Sequence, residues 1–397
     1  MTANTSHFET LGVHAGREDL KTLGVHALPI DLSTTYPITD LAMGTESLDT
    51  LVAGERTAGN PVYARLYNPT VARFEEALAA LEGAQTSVAY SSGMAAMTAM
   101  ILARKSFGNH ILGVRPIYGT SDHLLSCDLL GLPIRWVMAD EIASEVNDKT
   151  ALVIIETPAN PTLELVDIAA VVKAAGDVPV MVDSTFATPV LQNPLRQGAR
   201  FVLHSATKFL GGHGDVIAGV IACSEQDAKA LRQVRVATGS LLHPLAAYLL
   251  HRGLPTLSRR VLKAQENAHK LLQWLQTQTE VKAVFYPGLN AAQKVIMQKQ
   301  MSGGGSVLAF ELHAGYDAAA MVMSQVKRMT PAVSLGSVDT LIQHPAGLTH
   351  RVLDEGTRQK TGIREGLMRV SVGIEHVDDL IADLSQAFAA IKQQNAA

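Results

Sequence analysis

A lysine and an aspartate in the middle of the chain could together carry covalent amine chemistry. Asp183 ends the apolar run 178–182, and Lys208 follows the apolar run 201–203 within the sequence HSATK. Pyridoxal phosphate (PLP) needs both groups, because its aldehyde condenses with a lysine amine and its ring nitrogen stays protonated only beside a carboxylate. The pair therefore predicts a PLP site at the ends of two neighbouring strands.

The surroundings of Lys208 favour a desolvated amine. Phe209 and Leu210 follow it, and no other Asp, Glu, Lys or Arg lies between Arg200 and Asp215. Burial disfavours the charged form of an amine, so we expect the pKa of Lys208 to be lowered.

Polar residues at other predicted strand ends could bind the rest of the cofactor. Gly93 and Met94 open a helix, whose free backbone N–H groups could hold a phosphate. Ser205 and Thr207 could donate hydroxyl hydrogen bonds to the same phosphate, and Tyr118 could stack on the pyridine ring. Ligands of an α/β sheet lie outside the carboxyl ends of its strands, so we expect these residues in one site.

Strands and helices alternate from about residue 69 to residue 250. We predict strands at 86–90, 110–114, 134–138, 151–156, 178–183, 200–204 and 216–223, and helices at 69–82, after Gly93, at 121–130 and at 168–175. This alternation predicts an α/β fold with a mostly parallel sheet covered on both faces.

The two ends of the chain differ from this middle part. Residues 1–60 lack sustained periodicity, and we expect them to form an arm that contacts a neighbouring subunit, before a large domain over 61–250. In residues 251–397, helical patterns at 257–276 and 378–392 flank short strands at 282–286, 306–312 and 368–372. This arrangement predicts a smaller α+β domain.

Composition argues against several other classes of protein. The net charge of −4 gives no reason to expect nucleic acid or an anionic membrane as a partner. Two cysteines are too few for a disulfide framework and favour a cytoplasmic location. The uncharged window 86–103 is long enough to span a membrane, but turn residues at 91–93 favour a buried strand and a buried helix. No HExxH or clustered Cys/His spacing occurs, so we predict no metal site.

Longer motifs resemble the Cys/Met metabolism family of PLP-dependent enzymes over nearly the whole chain. They are YAR at 63–65, NPT at 68–70, SGMAA at 92–96, YG at 118–119, ETPANP at 156–161, DSTFA at 183–187, SATK at 205–208, AVSLG at 332–336, HPAGLTH at 344–350 and RVSVGIE at 369–375. The resemblance implies the aspartate aminotransferase-like fold (fold type I) and PLP as cofactor.

The resemblance also implies individual roles. Lys208 would bind the cofactor's aldehyde and later move protons, Asp183 would hold the ring nitrogen, and Tyr118 would stack on the ring and assist proton transfer. The phosphate would be bound by Gly93, Met94, Ser205 and Thr207. Arg369 would clamp the substrate carboxylate, with help from Asn160, which also borders the cofactor, and from Ser334.

A neighbouring subunit is part of the site that the resemblance implies. Tyr63 and Arg65 would reach the phosphate bound by that neighbour, so each site would form at a dimer interface. Two such dimers would pair into a homotetramer, and the 1–60 arm would lie against the neighbour.

Core residues alone leave several reactions open within the family. The segments 212–215 and 340–346 look most like the methionine-cleaving members, whereas Thr120, Ser184, Arg235 and Asp339 depart from the patterns of related sequences. We expect a lyase that cleaves the C–S bond of L-methionine or L-cystathionine by γ-elimination to 2-oxobutanoate, ammonia and a thiol. The alternatives are γ-replacement on an O-acyl homoserine and β-elimination from cystathionine.

Overall fold

The structure is a computed structural model that describes residues 6–351 and 353–396. Its strands are β1 (Thr86–Tyr90), β2 (His110–Val114), β3 (Ile134–Val137), β4 (Thr150–Glu156), β5 (Val180–Asp183), β6 (Phe201–His204), β7 (Gly219–Cys223), β8 (Val281–Phe285), β9 (Val307–Leu312), β10 (Thr330–Pro331), β11 (Leu341–Gln343) and β12 (Leu367–Ser371). Its α-helices are α1 (Phe8–His14), α2 (Leu20–Leu23), α3 (Leu41–Val52), α4 (Pro69–Glu82), α5 (Gly93–Arg104), α6 (Gly119–Ser126), α7 (Ile142–Glu145), α8 (Ile168–Ala175), α9 (Thr188–Leu191), α10 (Glu225–Thr238), α11 (Pro244–Gly253), α12 (Leu257–Leu275), α13 (Ala291–Gln300), α14 (Gly315–Gln325), α15 (Glu355–Lys360) and α16 (Val377–Ala396).

The larger sheet has seven strands in the order β1-β7-β6-β5-β4-β2-β3. Only β7 runs antiparallel to its neighbours, which confirms the mostly parallel sheet. Glu156 at the end of β4 pairs in register with Asp183 at the end of β5, and Asp183 pairs with Leu203 of β6. The carboxyl ends of three adjacent strands therefore meet at one edge.

Local sequence signals explain the helices that border this edge. The Asn68 side chain accepts hydrogen bonds from the first turn of α4, and Pro69 occupies the first helical position, so the helix predicted at 69–82 is confirmed. The uncharged window 86–103 folds as the buried strand β1 and the helix α5, with Ser92 accepting a hydrogen bond from the Ala95 N–H. Within the part of the chain that the structure describes, no helix has the length and apolar character needed to cross a membrane.

The smaller sheet has five strands in the order β10-β11-β12-β9-β8 and belongs to the C-terminal part of the chain. Helices α12, α14 and α16 pack against it around a core that includes Leu271, Phe310 and Phe388. The three predicted strands of this region are confirmed to within a residue at their ends. The short strands β10 and β11 carry too few residues to show a period in the sequence.

Three sequence expectations differ from the structure. The helix predicted at 121–130 spans Gly119–Ser126, and a separate 3-10 turn follows at Asp128–Leu130. The strand predicted from 216 begins at Gly219, and residues 216–218 before it have no regular secondary structure. The N-terminal region, predicted without periodicity, contains the three-turn helix α3, which Asp40 caps by accepting a hydrogen bond from the Met43 N–H.

Part of this N-terminal region lies on the chain's own large domain. His251 Nε2 lies 3.0 Å from the Ala15 carbonyl oxygen, and Arg73 forms an ion pair with Asp19. Residues 7–24 therefore pack within the chain, whereas Leu32 and Leu41 further along are well exposed.

Candidate active site

A cavity of about 620 Å³ opens at the carboxyl ends of β4, β5 and β6. Its lining includes Gly93, Met94, Tyr118, Asn160, Asp183, Ser205, Thr207, Lys208, Ser334 and Arg369, together with Glu156, Thr185, Ile217, Val333, Leu348 and Thr349. Every site residue predicted from the sequence thus lines one cavity, except Tyr63 and Arg65.

Lys208 lies just beyond β6, where the chain turns back on itself. The Lys208 N–H donates to the Ser205 carbonyl, and Nζ donates to Ser334 Oγ at 2.6 Å. Burial, and then the positive charge of Arg369, lower the pKa of Lys208 to about 8. A larger fraction of this amine is therefore neutral near neutral pH than for an ordinary lysine, and the neutral form is the one that attacks an aldehyde.

Asp183 presents one free carboxylate oxygen to the cavity. Thr185 donates to Asp183 Oδ1 from its N–H (3.0 Å) and from its hydroxyl (2.6 Å), and Thr185 Oγ1 accepts from the Ser205 N–H. No donor among the described side chains and backbone groups bonds Oδ2. Burial raises the pKa of Asp183, and a protonated pyridine nitrogen beside Oδ2 would favour the ionised form. Ser184, which departs from the family pattern, is fully buried and bonds Gln192.

The first turn of α5 forms a narrow cradle with the segment that follows β6. A Cβ added to Gly93 would lie 3.0 Å from Ser205 Cβ and 3.2 Å from Ser205 Oγ, so only glycine leaves this space open. The N–H groups of Gly93 and Met94 have no acceptor in residues 6–351 and 353–396. Helix N–H groups and a hydroxyl at such a cradle suit a phosphate. The Thr207 hydroxyl already donates to the Ala218 carbonyl at 3.2 Å, so it would have to change partner to bind phosphate.

Arg369 is a buried cation on β12 with only 2% of its surface exposed. Its guanidinium donates to Asn160 Oδ1 at 2.8 Å and to the Ser334 carbonyl at 2.5 Å. With its oxygen turned toward Arg369, the Gln343 amide accepts a further bond at 2.8 Å. Burial lowers the pKa of Arg369 to about 10. Within the described structure no carboxylate bonds this guanidinium, so a carboxylate ligand would relieve its burial.

Ser334 contacts both basic side chains of the cavity, those of Lys208 and Arg369. Its hydroxyl bonds Lys208 and its carbonyl bonds Arg369, and its φ of +95° lies in a region that non-glycine residues rarely adopt. Such strain concentrates where the surrounding structure fixes a functional geometry.

Three further residues contribute to the site, although the sequence assigned none of them a role. Glu156 accepts hydrogen bonds from the backbone N–H groups of Tyr118 and Asn160, at 2.7 and 2.8 Å. Gln343 pairs in register with Arg369, and His350 is buried beside Thr349, with its pKa lowered to about 4 by desolvation. Glu156 and His350 belong to the sequence motifs of the site, so these motifs could have indicated both residues. Gln343 lies on a strand that is too short to predict from the sequence.

Tyr63 and Arg65 lie outside the cavity of their own chain. Tyr63 is exposed, and Arg65 donates to the Val236 carbonyl at 2.8 Å. The departures at Arg235 and Asp339 also lie away from the cavity, since Arg235 bonds the buried Glu75 and Asp339 bonds Thr330.

Comparisons with known proteins show the family of this chain. The sequence profile of the Cys/Met metabolism PLP-dependent enzymes matches residues 9–389. The L-methionine gamma-lyase of Brevibacterium sandarakinum is 53% identical over 391 residues, which is 98% of this chain and 98% of that protein. The L-methionine gamma-lyase of Streptomyces avermitilis is 51% identical over 381 residues, covering 96% of this chain and 88% of that protein. The crystal structure of cystathionine gamma-lyase from Lactobacillus plantarum, complexed with L-serine, has a TM-score of 0.89 at 32% identity and covers 98% of this chain and 100% of that one. The chain therefore belongs to the Cys/Met metabolism family of PLP-dependent enzymes, with the fold type I architecture that its motifs imply.

Proposed function

We propose that this PLP-dependent lyase of sulfur amino acids acts on L-methionine, by γ-elimination to 2-oxobutanoate, ammonia and methanethiol. Relatives more than 50% identical over almost the whole chain carry the name L-methionine gamma-lyase. The observation that carries the proposal is the buried Arg369 guanidinium, which shares one cavity with the Lys208 amine through Ser334.

Arg369 and Asn160 hold the substrate's α-carboxylate. The guanidinium can donate two parallel hydrogen bonds to a carboxylate, and its contact with Asn160 Oδ1 fixes its direction. Lys208 lines the same cavity as this clamp, so a substrate held by its carboxylate would share the cavity with the amine.

Lys208 moves the protons of the reaction at Nζ. Bound PLP supplies an electron sink that makes the proton on the substrate's α-carbon acidic. With a pKa of about 8, the Lys208 amine can accept a proton and return it near neutral pH. Tyr118, whose ring borders the cavity, assists the proton transfer.

Asp183 and the α5 cradle hold the cofactor. Asp183 Oδ2 would accept from the ring nitrogen, and the N–H groups of Gly93 and Met94 would bind the phosphate together with the Ser205 hydroxyl. Thr207 would join these donors if its hydroxyl turned from the Ala218 carbonyl.

The same proposal includes a homotetramer built from two dimers that share active sites. Tyr63 and Arg65 face away from the cavity of their own chain, and apolar side chains of the N-terminal region, such as Leu32, Leu41 and Met43, are exposed. In the dimer these residues are buried at the interface between the two subunits. Arg65 then reaches the phosphate of the cofactor bound by the neighbouring subunit. Cys127 and Cys223 are both free thiols, which supports a cytoplasmic location.

The test is a 2-oxo acid assay on the PLP-loaded enzyme with L-methionine, L-cystathionine and O-acetyl-L-homoserine in parallel. We expect 2-oxobutanoate and methanethiol from L-methionine. Pyruvate from cystathionine would indicate β-elimination instead, and turnover of the ester only with added thiol would indicate γ-replacement. Either result without methionine cleavage would overturn the proposal.

A further inference from the structure

Glu156 is a buried acid that lines the cavity of the site. It is 5% exposed at the end of β4 and lies in register with Asp183 on the adjacent strand. Desolvation first, and then the negative charge of Asp183, raise the pKa of Glu156 well above its ordinary value. Burying a second acid beside Asp183 destabilises the fold unless hydrogen bonds or paired charges compensate it.

Each carboxylate oxygen of Glu156 accepts from the backbone of a different loop. Oε2 accepts from the Tyr118 N–H at 2.7 Å, and Oε1 accepts from the Asn160 N–H at 2.8 Å. Tyr118 ends the loop between β2 and α6, whereas Asn160 lies in the loop after β4. One side chain therefore fastens two loops that the chain separates by about 40 residues.

These two loops carry the two halves of the site. The Tyr118 ring borders the cavity where the cofactor ring would lie. The Asn160 side chain accepts from Arg369 at 2.8 Å and so directs the buried guanidinium. A shift of either loop would displace a group that contacts cofactor or substrate.

We infer that Glu156 is a positioning residue that couples the orientation of the cofactor ring to that of the substrate's carboxylate clamp. This inference rests on the proposed function, because the clamp is assigned to a substrate carboxylate. Only a carboxylate provides two acceptors without a donor at this point. A glutamine would accept from one loop and turn its own N–H groups toward the other.

The test compares Glu156→Gln with Asp383→Asn in the PLP-loaded enzyme. Asp383 is a matched control, because it is also buried and accepts from the backbone N–H groups of residues 327–329, at 2.7 to 3.0 Å. It belongs to the small domain and does not line the cavity. Each substitution removes a carboxylate that accepts hydrogen bonds from backbone N–H groups. Only Glu156 binds the loops of the site.

Hydrogen–deuterium exchange followed by mass spectrometry measures how well the backbone N–H groups of the two loops are protected. In Glu156→Gln, peptides that cover 116–122 or 158–164 should exchange faster than in the parent enzyme, roughly tenfold or more for a lost charge-assisted hydrogen bond. The visible circular dichroism of bound PLP should change as well, because its ring has lost a fixed neighbour. In Asp383→Asn the faster exchange should be confined to the region of 327–329, and the dichroism of bound PLP should stay the same.

Kinetics separate positioning from general destabilisation. For Glu156→Gln we expect KM for L-methionine to rise about tenfold, whereas the inhibition constant of 3-(methylthio)propylamine, which lacks the carboxylate, should change less than about twofold. Unchanged exchange of both loops, or equal kinetic changes in the two variants, would overturn the inference. If the parent enzyme fails to cleave methionine, the proposed function fails, while exchange and dichroism still decide whether Glu156 positions the loops.

Discussion

The protonation state of Lys208 should set how fast the protein without cofactor captures PLP. Only the neutral amine attacks an aldehyde, and burial together with Arg369 lowers the pKa of Lys208 from its ordinary 10.5 to about 8. At pH 7 an amine of pKa about 8 is neutral in about 9% of molecules, against about 0.03% for a pKa of 10.5. The cavity thus increases the reactive fraction of Lys208 about 300-fold at this pH.

Rapid mixing of the cofactor-free protein with PLP at a series of pH values measures this effect. The absorbance of lysine-bound PLP reports the capture, and its rate should rise with pH through a midpoint near pH 8, the pKa of Lys208, and level off at higher pH. The same series with Nα-acetyl-lysine removes the contribution of PLP's own titration. Lys208→Arg should show no covalent capture, because a guanidinium stays protonated.

Replacing Arg369 tests how its positive charge affects the pKa of Lys208. The positive charge of Arg369 disfavours protonation of Lys208, so Arg369→Met should raise the pKa of Lys208 and move the midpoint of capture to higher pH. A midpoint near pH 10 in the parent protein would refute the reasoning, since it would mean that the cavity leaves the amine at its ordinary pKa.

Three other substitutions test separate parts of the molecule. Lys208→Ala should abolish 2-oxo acid formation and leave the melting temperature nearly unchanged, because Nζ is bonded only to Ser334 in the described structure; residual turnover at the parent rate would contradict its role. Arg65→Ala should speed PLP dissociation from the oligomer, measured by dialysis; a monomer that holds PLP equally well would exclude a shared site. Arg260→Met should lower the free energy of unfolding by about 2–5 kcal/mol in chemical denaturation, because Arg260 is buried and donates to the carbonyls of Phe209 and Gly253. A loss below about 1 kcal/mol would show that water replaces these bonds.

The parallel sheet and one half of the site could be predicted because their signals are local. Continuous apolar runs mark β4, β5 and β6 in the sequence, and the residue after each run must emerge at the sheet edge. Asp183 and Lys208 were found in this way, and the structure brings both into one cavity. The helix α4 was equally clear from its Asn68 cap and Pro69.

Other features depend on contacts that no local pattern reveals. The bond between Arg369 and Asn160 joins residues 209 positions apart, so the motifs suggested both residues without showing that they touch. Gln343 reaches the site on a three-residue strand, which is too short for a period. In α3, Leu41 and Met43 are exposed in the single chain, so the apolar residues of this helix do not mark a buried face.

The site depends on the packing of the large part of the chain against the C-terminal part. Lys208 follows β6 of the larger sheet, whereas Ser334 and Arg369 belong to the segment around the smaller sheet, and Ser334 touches both cations. Arg260 on α12 adds a second link, because its guanidinium donates to the carbonyl of Phe209, the residue after Lys208, at 2.7 Å. A change in how the two sheets pack must therefore alter the distance between the amine and the carboxylate clamp. Since a misplacement of about 1 Å between reacting groups can cost about 100-fold in rate, substitutions between the two sheets should lower kcat even when they lie outside the cavity.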